Sequence, residues 1–203
     1  MIYRPRKTPT QGRAIATWTA ILDAAAQLFE AADFGSVTTN EIAARAGVSI
    51  GSLYQYFPNK AAIVTAIAER HLCEAAALLE DVLAISRKES HGLERTLSDL
   101  IGASVAANAS HPGLHRFIYA EAPRTSESLK KLREVEDHVA RLLADTFARL
   151  GVGGENAHSR ARLFVQGAEA QIHTVVLDAQ GSSRERIIEE MVTMWAAALS
   201  RNA

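Results

Sequence analysis

The sequence predicts an all-α fold of about nine helices, on three observations. Alanine and leucine abound while β-branched runs are few, a composition that favours helix. Apolar residues recur at intervals of three and four along most of the chain. Glycine and proline are sparse, 12 and 5 in 203 residues, and several stand at the breaks between the periodic stretches. At 48% hydrophobic, the chain can fill one large helical domain or a small one and a larger one.

The first helix is expected over residues 14–32, where Trp18, Ile21, Leu22, Ala25, Leu28 and Phe29 form one stripe at helical period. The stretch from Thr38 to Lys60, TTNEIAARAGVSIGSLYQYFPNK, then organises the chain. Thr38 and Glu41 make an S/T-x-x-E capping box that starts a helix at Thr39. Ile42, Ala43 and Ala46 give that short helix one apolar face, and Gly47 supplies a left-handed terminator. Val48 plugs the turn from beneath. Ser49 is the next N-cap, and Ile50 to Phe57 form a second helix that Pro58 stops. Asn59 caps a third, starting at Lys60.

Two short helices joined by a tight glycine turn suit the DNA major groove, which admits one helix. In the second helix Leu53 and Phe57 point inward at i and i+4. Ser49, Ile50, Gly51, Ser52, Tyr54, Gln55 and Tyr56 are left at its start or on its outer face. Gly51 and Ser52 are poor choices inside a helix unless it must approach another surface closely. Two tyrosines and a glutamine offer uncharged donors and acceptors. Taken singly, Tyr54 or Tyr56 reads as an ordinary half-buried aromatic; caps, turn and outer face together point to DNA.

From Ile21 the run ILDAAAQLFEAADFGSVTTNEIAARAGVSIGSLYQYFPNKAAIV resembles the DNA-binding domain of the tetracycline-repressor (TetR) family. The matching features are ILDAAAQLF, T-x-x-E-I-A-x-x-A-G-V-S and G-S-L-Y-x-Y-F-P-N-K, a set of high specificity covering about the first third of the chain. The resemblance implies a homodimeric, all-helical transcriptional regulator, usually a repressor released by a small ligand. It also assigns a phosphate contact to Lys60. Two positions depart from the family pattern. Asp33 stands where glycine often ends the first helix, a mild change because Asp tolerates the left-handed conformation. Ile50 stands where a polar or basic residue is common, which favours contact with a thymine methyl over a hydrogen bond there.

Downstream, a long helix is expected from Lys60 to about Ser86, linking head to body. A shift in it could then change the separation of two heads. SRKESHG (86–92) reads as a polar break, and Leu93 to Ala109 as a helix with Leu97, Leu100, Ile101 and Val105 inward. HPG at 111–113 breaks again, and LHRFIYAEA gives a short helix ending before Pro123. Ser126 to Leu150 is strongly amphipathic, with Leu129, Leu132, Val135, Val139, Leu143, Phe147 and Leu150 as its stripe. Glu155 to Ala179 and Arg184 to Ser200 are the last two helices, and both are rich in apolar surface. The family likeness assigns that pair to a two-fold four-helix interface, with Phe164, Gly167, Gln171, Val175, Met191, Met194 and Trp195 on it. The alternative is plain intramolecular core.

Net charge is only −1, so the distribution matters more than the total. Residues 1–60 carry six basic residues against four acids, leaving sixteen basic and nineteen acidic residues in the remainder. Residues 1–13, MIYRPRKTPTQGR, hold Arg4, Arg6, Lys7 and Arg13 and no acid. They read as a flexible arm that reaches phosphates or the minor groove, or as a disordered tail; the two are compatible if the arm orders on DNA. Cys73, alone in the chain, rules out an internal disulfide and fits a reducing cytoplasm. No apolar run approaches transmembrane length, and the N-terminus lacks the apolar segment of a signal peptide.

The expected organisation is therefore a basic arm over 1–13, a helix-turn-helix domain over 14–60 and a helical dimerisation and ligand-binding domain over 61–203. Its partners are double-stranded DNA with a palindromic operator, a second copy of the chain and a small, mainly apolar inducer. No cofactor, membrane contact or enzymatic activity is expected, and the expected compartment is the cytoplasm. Thr39, Lys60 and the arm arginines hold phosphates on this reading, and Gln55 reads a base, with adenine its natural partner. Phe117, Tyr119 and His115 are the candidates for lining a ligand cavity, although each alone fits ordinary packing. His111 and His115 lack the further ligands a metal needs, and only one Glu-x-x-His occurs, Glu155 to His158. The competing readings are a regulator whose body only dimerises or binds a protein, and a helical enzyme with a helix-turn-helix-like head.

Overall fold

A computed structural model describes residues 5–6, 9–32, 34–109, 113–114, 117–118, 122–177 and 181–200. Eight α-helices and no strand occur among them. The first five are α1 (Gly12–Ala31), α2 (Thr39–Arg45), α3 (Ile50–Tyr56), α4 (Lys60–Lys88) and α5 (Leu93–Ala109). Then come α6 (Ser126–Arg149), α7 (Ala157–Gln171) and α8 (Ser182–Ser200). The short helix expected near 114–122 falls largely outside the described residues.

Most helix ends lie within two residues of the sequence reading, and two elements differ for a local reason. Helix α4 runs through Ser86 to Lys88, because the Ser86 hydroxyl is fully buried against that of Thr96 at 2.6 Å. A polar residue that reads as the start of a break is thus satisfied in the interior. The helix ends at Lys88, and two residues beyond it Ser90 adopts a left-handed φ of 57°. The helix expected from Glu155 is instead three segments. A 3-10 turn over Gly154–Asn156 precedes α7, and a π-helical turn over Ile172–Val176 follows it. Ile172 and Val176, at either end of the wider turn, are both buried in the core.

The chain packs as two compact units, Met1–Leu72 with His111–Lys131, and Cys73–Ser110 with Leu132–Ala203. In the first, α1 contributes Ile21, Leu22, Ala25 and Phe29, α2 contributes Ile42 and Ala43, and α4 contributes Ile63, Val64 and Ile67. Leu53 and Phe57 close this core from beneath α3; burying each is worth roughly 2–3 kcal/mol. Phe117 joins the same core, stacked on Phe29 with ring centroids 4.4 Å apart. Beside it the Glu30 carboxylate accepts from the backbone N–H groups of Gly113 and Leu114, at 3.0 and 2.7 Å. Gly113 is required by close approach, since a Cβ there would lie 2.6 Å from the Glu30 carbonyl oxygen.

In the second unit Leu97, Ile101, Leu143, Phe147, Phe164, Ile172 and Leu199 form the core. Trp195 of α8 lies over Gly167 of α7 so closely that a Cβ at 167 would stand 2.6 Å from the ring. The indole N–H donates to the Gln171 side chain at 2.9 Å, and Phe164 meets the ring edge-on at 5.4 Å. The small residue is thus a socket for an aromatic of the same chain.

Candidate nucleic-acid interface

The first unit carries a helix-turn-helix whose geometry follows from local hydrogen bonds. The Thr38 hydroxyl accepts from the Glu41 backbone N–H at 3.2 Å, and the Glu41 carboxylate accepts from the Thr38 N–H at 2.7 Å. That reciprocal box starts α2. The Thr38 side-chain hydrogen bond, then its backbone N–H and the nearby Lys60 cation, hold the Glu41 carboxyl below its ordinary pKa of 4.5. Gly47 takes a left-handed φ of 67°, and the Val48 N–H reaches back to the Ala43 carbonyl at 3.0 Å, which closes the turn. Ser49 caps α3 by accepting from the Ser52 N–H at 3.0 Å. Phe57 leaves the helix in an extended conformation, as a residue before proline must.

Helix α3 then has two faces. Leu53 and Phe57 are wholly buried, with Trp18 of α1 packed on Phe57 at 4.3 Å and edge-on to Tyr56 at 5.9 Å. Ile50, Gly51, Tyr54 and Gln55 are exposed; Ile50 at 38% and Tyr54 at 40% are among the largest apolar or aromatic side chains left in solvent. A Cβ added at Gly51 would meet only the Ser49 hydroxyl, at 3.8 Å, so nothing inside the chain demands a glycine there. Thr39 and Tyr54, fifteen residues apart, share a hydrogen bond of 3.1 Å between their hydroxyls at the edge of this face. Ser52 and Tyr56 are half-buried, and the Ser52 and Ser49 hydroxyls lie 2.9 Å apart.

Around the face stand the basic residues. The Arg6 backbone N–H donates to the Tyr56 carbonyl at 2.6 Å, which sets this part of the arm at the carboxyl end of α3. Arg6 and Arg13 are exposed; Arg4 and Lys7 lie outside the described residues. Arg45, at the end of α2, donates to the Gln27 side chain at 2.8 Å. Lys60 is half-buried, its ammonium donating to the carbonyls of Phe34 and Val37. Neither carbonyl was visible as a partner in the sequence, because they precede the lysine by 26 and 23 residues.

Of the ligand candidates, Phe117 is a core aromatic of the first unit, and His115 and Tyr119 lie outside the described residues. The seven interface candidates divide. Phe164 and Met191 are buried; Gly167, Gln171 and Trp195 are half-buried together; Val175 and Met194 are each 47% exposed. Gln171, Val175, Arg186, Ile187, Met191 and Met194 line a groove of about 760 Å³ between the end of α7 and α8. Among the described residues no three His, Cys, Asp or Glu side chains gather as a metal site. No helix among them is long and apolar enough to cross a membrane.

Residues 21–67 match the family model described as bacterial regulatory proteins, tetR family. Residues 93–199 match the one described as tetracyclin repressor-like, C-terminal domain. An uncharacterised HTH-type transcriptional regulator of Mycobacterium tuberculosis (strain H37Rv) is 28% identical over 165 residues, which span 79% of this chain and 68% of that protein. A crystal structure from Mesorhizobium loti, described as a TetR-family transcriptional regulator, aligns with a TM-score of 0.73 at 19% identity, covering 94% of this chain and 100% of that one. FadR of Bacillus subtilis, solved in complex with stearoyl-CoA, aligns with a TM-score of 0.66 at 19% identity, covering 90% of this chain and 99% of that one. At such identities the structural likeness speaks for the fold alone.

Proposed function

The chain belongs to the tetR family of bacterial regulatory proteins, a family of DNA-binding transcriptional regulators, and on that footing we propose that it works as a homodimeric repressor of a palindromic operator. The outer face of α3 carries this reading. It presents Ile50, Tyr54 and Gln55 to solvent around a glycine that no internal contact requires. Such a face can lie flush in a major groove, with Gln55 bonding a base edge and Ile50 against a thymine methyl. Ser49 and Ser52 stand at the start of that helix, Tyr56 at its end. Thr39, Lys60 and the arm arginines Arg4, Arg6 and Arg13 hold phosphates, fixing the register.

Pairing of two copies is supported by the exposed Val175 and Met194 beside the half-buried Trp195, Gln171 and Gly167. Two heads about one helical turn of DNA apart read two half-sites and so multiply the discrimination of a short contact. A small, mainly apolar ligand bound in the body favours the dimer with wrongly spaced heads and lowers affinity for the operator. That the Bacillus subtilis neighbour was solved with stearoyl-CoA, whose acyl chain is long and apolar, is in keeping with an apolar part in such a ligand.

The test is a footprint on DNA flanking the protein's own gene, across a salt series, with Tyr54→Ala/Gln55→Ala beside the wild type. A protected palindrome, a steep salt dependence and loss of protection in the double variant are expected. Protection that survives the double substitution sinks the assignment of α3.

A further inference from the structure

The groove between the end of α7 and α8 carries two charges that the chain itself does not use. Helix α8 lines it with Arg186, Ile187, Glu190, Met191 and Met194. These recur at intervals of three and four, so they form one stripe along the helix. Ile187, Met191 and Met194 make an apolar seam, and Arg186 and Glu190 accompany it one turn apart. Both charged side chains are exposed, and no hydrogen bond or ion pair joins either to another described residue. Arg184, two positions earlier, is used inside the chain. Its Nε donates to the Val176 carbonyl at 3.1 Å and its Nη2 to that of Leu177 at 3.2 Å.

The simplest alternative is a solvated pair on one helix face. The arrangement does not favour it. An arginine four residues before a glutamate is the weaker orientation of such a pair, and here the two do not bond each other. Arg186 also lies near the amino end of α8, where the helix dipole disfavours a cation. Val175 and Met194 stand 47% exposed in the same groove, an apolar surface that gains from being covered.

A second copy covers it consistently. Under two-fold symmetry the same patch lies on both sides, so whatever one residue meets in the partner is met in return. Residues 186 and 190 are about 6 Å apart along α8. An axis crossing the helix midway between them brings Arg186 to Glu190 of the partner subunit, and Glu190 to Arg186 of the partner subunit. One patch then supplies two contacts between opposite charges.

We propose that Arg186 and Glu190 select the partner in the dimer: each Arg186 pairs with Glu190 of the partner subunit across the groove, which admits a second copy of this chain and rejects a chain with like charges there. The proposal rests on the dimer reading above and adds what decides self-recognition. The apolar seam supplies the attraction, and the charges make wrong pairings costly.

The experiment co-expresses two full-length chains bearing affinity tags of different length, purifies them together and counts homodimers and heterodimers by native mass spectrometry. Two wild-type chains should give about half heterodimer, the random proportion. Arg186→Glu carries two acids at the patch and Glu190→Arg two bases. Each repels itself and complements the other, so this mixture should give about nine-tenths heterodimer or more. The double variant Arg186→Glu/Glu190→Arg keeps the complementarity with itself and opposes the wild type at both contacts. That mixture should sort into homodimers, with about one-tenth heterodimer or less. Random proportions in these mixtures overturn the proposal while leaving the dimer itself intact. If a single variant does not fold, the mixture of wild type and double variant decides by the same criterion. A wild type that stays monomeric throughout sinks the dimer reading, and the pairing with it.

Discussion

Gly51→Ala separates a demand of the fold from a demand of the partner. The backbone at Gly51 is helical, and the added methyl would touch only the Ser49 hydroxyl, at 3.8 Å, which is ordinary contact. In the free protein the substitution should therefore stabilise, by up to about 1 kcal/mol of helix propensity per chain. That corresponds to a rise of about 2 °C in melting temperature for a domain of this size. On DNA the sign reverses. A methyl on the face that lies against the groove overpacks the interface, at about 1 kcal/mol or more per half-site. Two half-sites then cost about 2 kcal/mol, a rise of about 30-fold in dissociation constant. Thermal melting without DNA and fluorescence anisotropy with a labelled operator duplex measure the two effects on one preparation. If the melting temperature rises while affinity is unchanged, α3 does not present Gly51 to DNA. If both fall, the glycine is required by the fold after all.

Replacing the exposed Val175 and Met194 together by Glu should convert dimer to monomer in sedimentation velocity and abolish operator binding, while leaving the helical signal near that of the wild type. Ser86→Ala and Thr96→Val should each lower stability to urea by about 1 kcal/mol or more, Thr96→Val more because it also loses its bond to the Gly92 carbonyl. The double variant should cost less than the sum, because the shared bond is then lost only once and the buried Ser86 hydroxyl is not left behind without Thr96. Because Glu41 has its folded pKa lowered from 4.5, its contribution to stability is present above that value and is lost as pH falls through the lower, folded one. The stability gap between wild type and Glu41→Gln, followed by urea melts from neutral to acid pH, should therefore close below about pH 4.5.

The helix-turn-helix is almost wholly legible in the residues, because its determinants are short-range. The Thr38–Glu41 box, the left-handed Gly47, the Ser49 cap and the stop at Pro58 each depend on partners within about four positions, the reach of a single helical turn. The inward pair Leu53 and Phe57 and the outward Ile50, Tyr54 and Gln55 follow from the same period. Matters stand otherwise where a side chain ends on the backbone of a distant element. Lys60 meets Phe34 and Val37, Glu30 meets Gly113 and Leu114, and Ser86 meets Thr96. Periodicity says which face of a helix a residue occupies, but not which carbonyl or N–H faces it there. The same holds for Gly167, over which the ring of Trp195 lies from the next helix. The π-helical turn at Ile172–Val176 leaves no trace in composition either, since one extra residue per turn is a response to packing. Local hydrogen bonds are decided within a few residues and so are written in the chain; contacts across elements exist only once the cores have formed and brought those elements within reach.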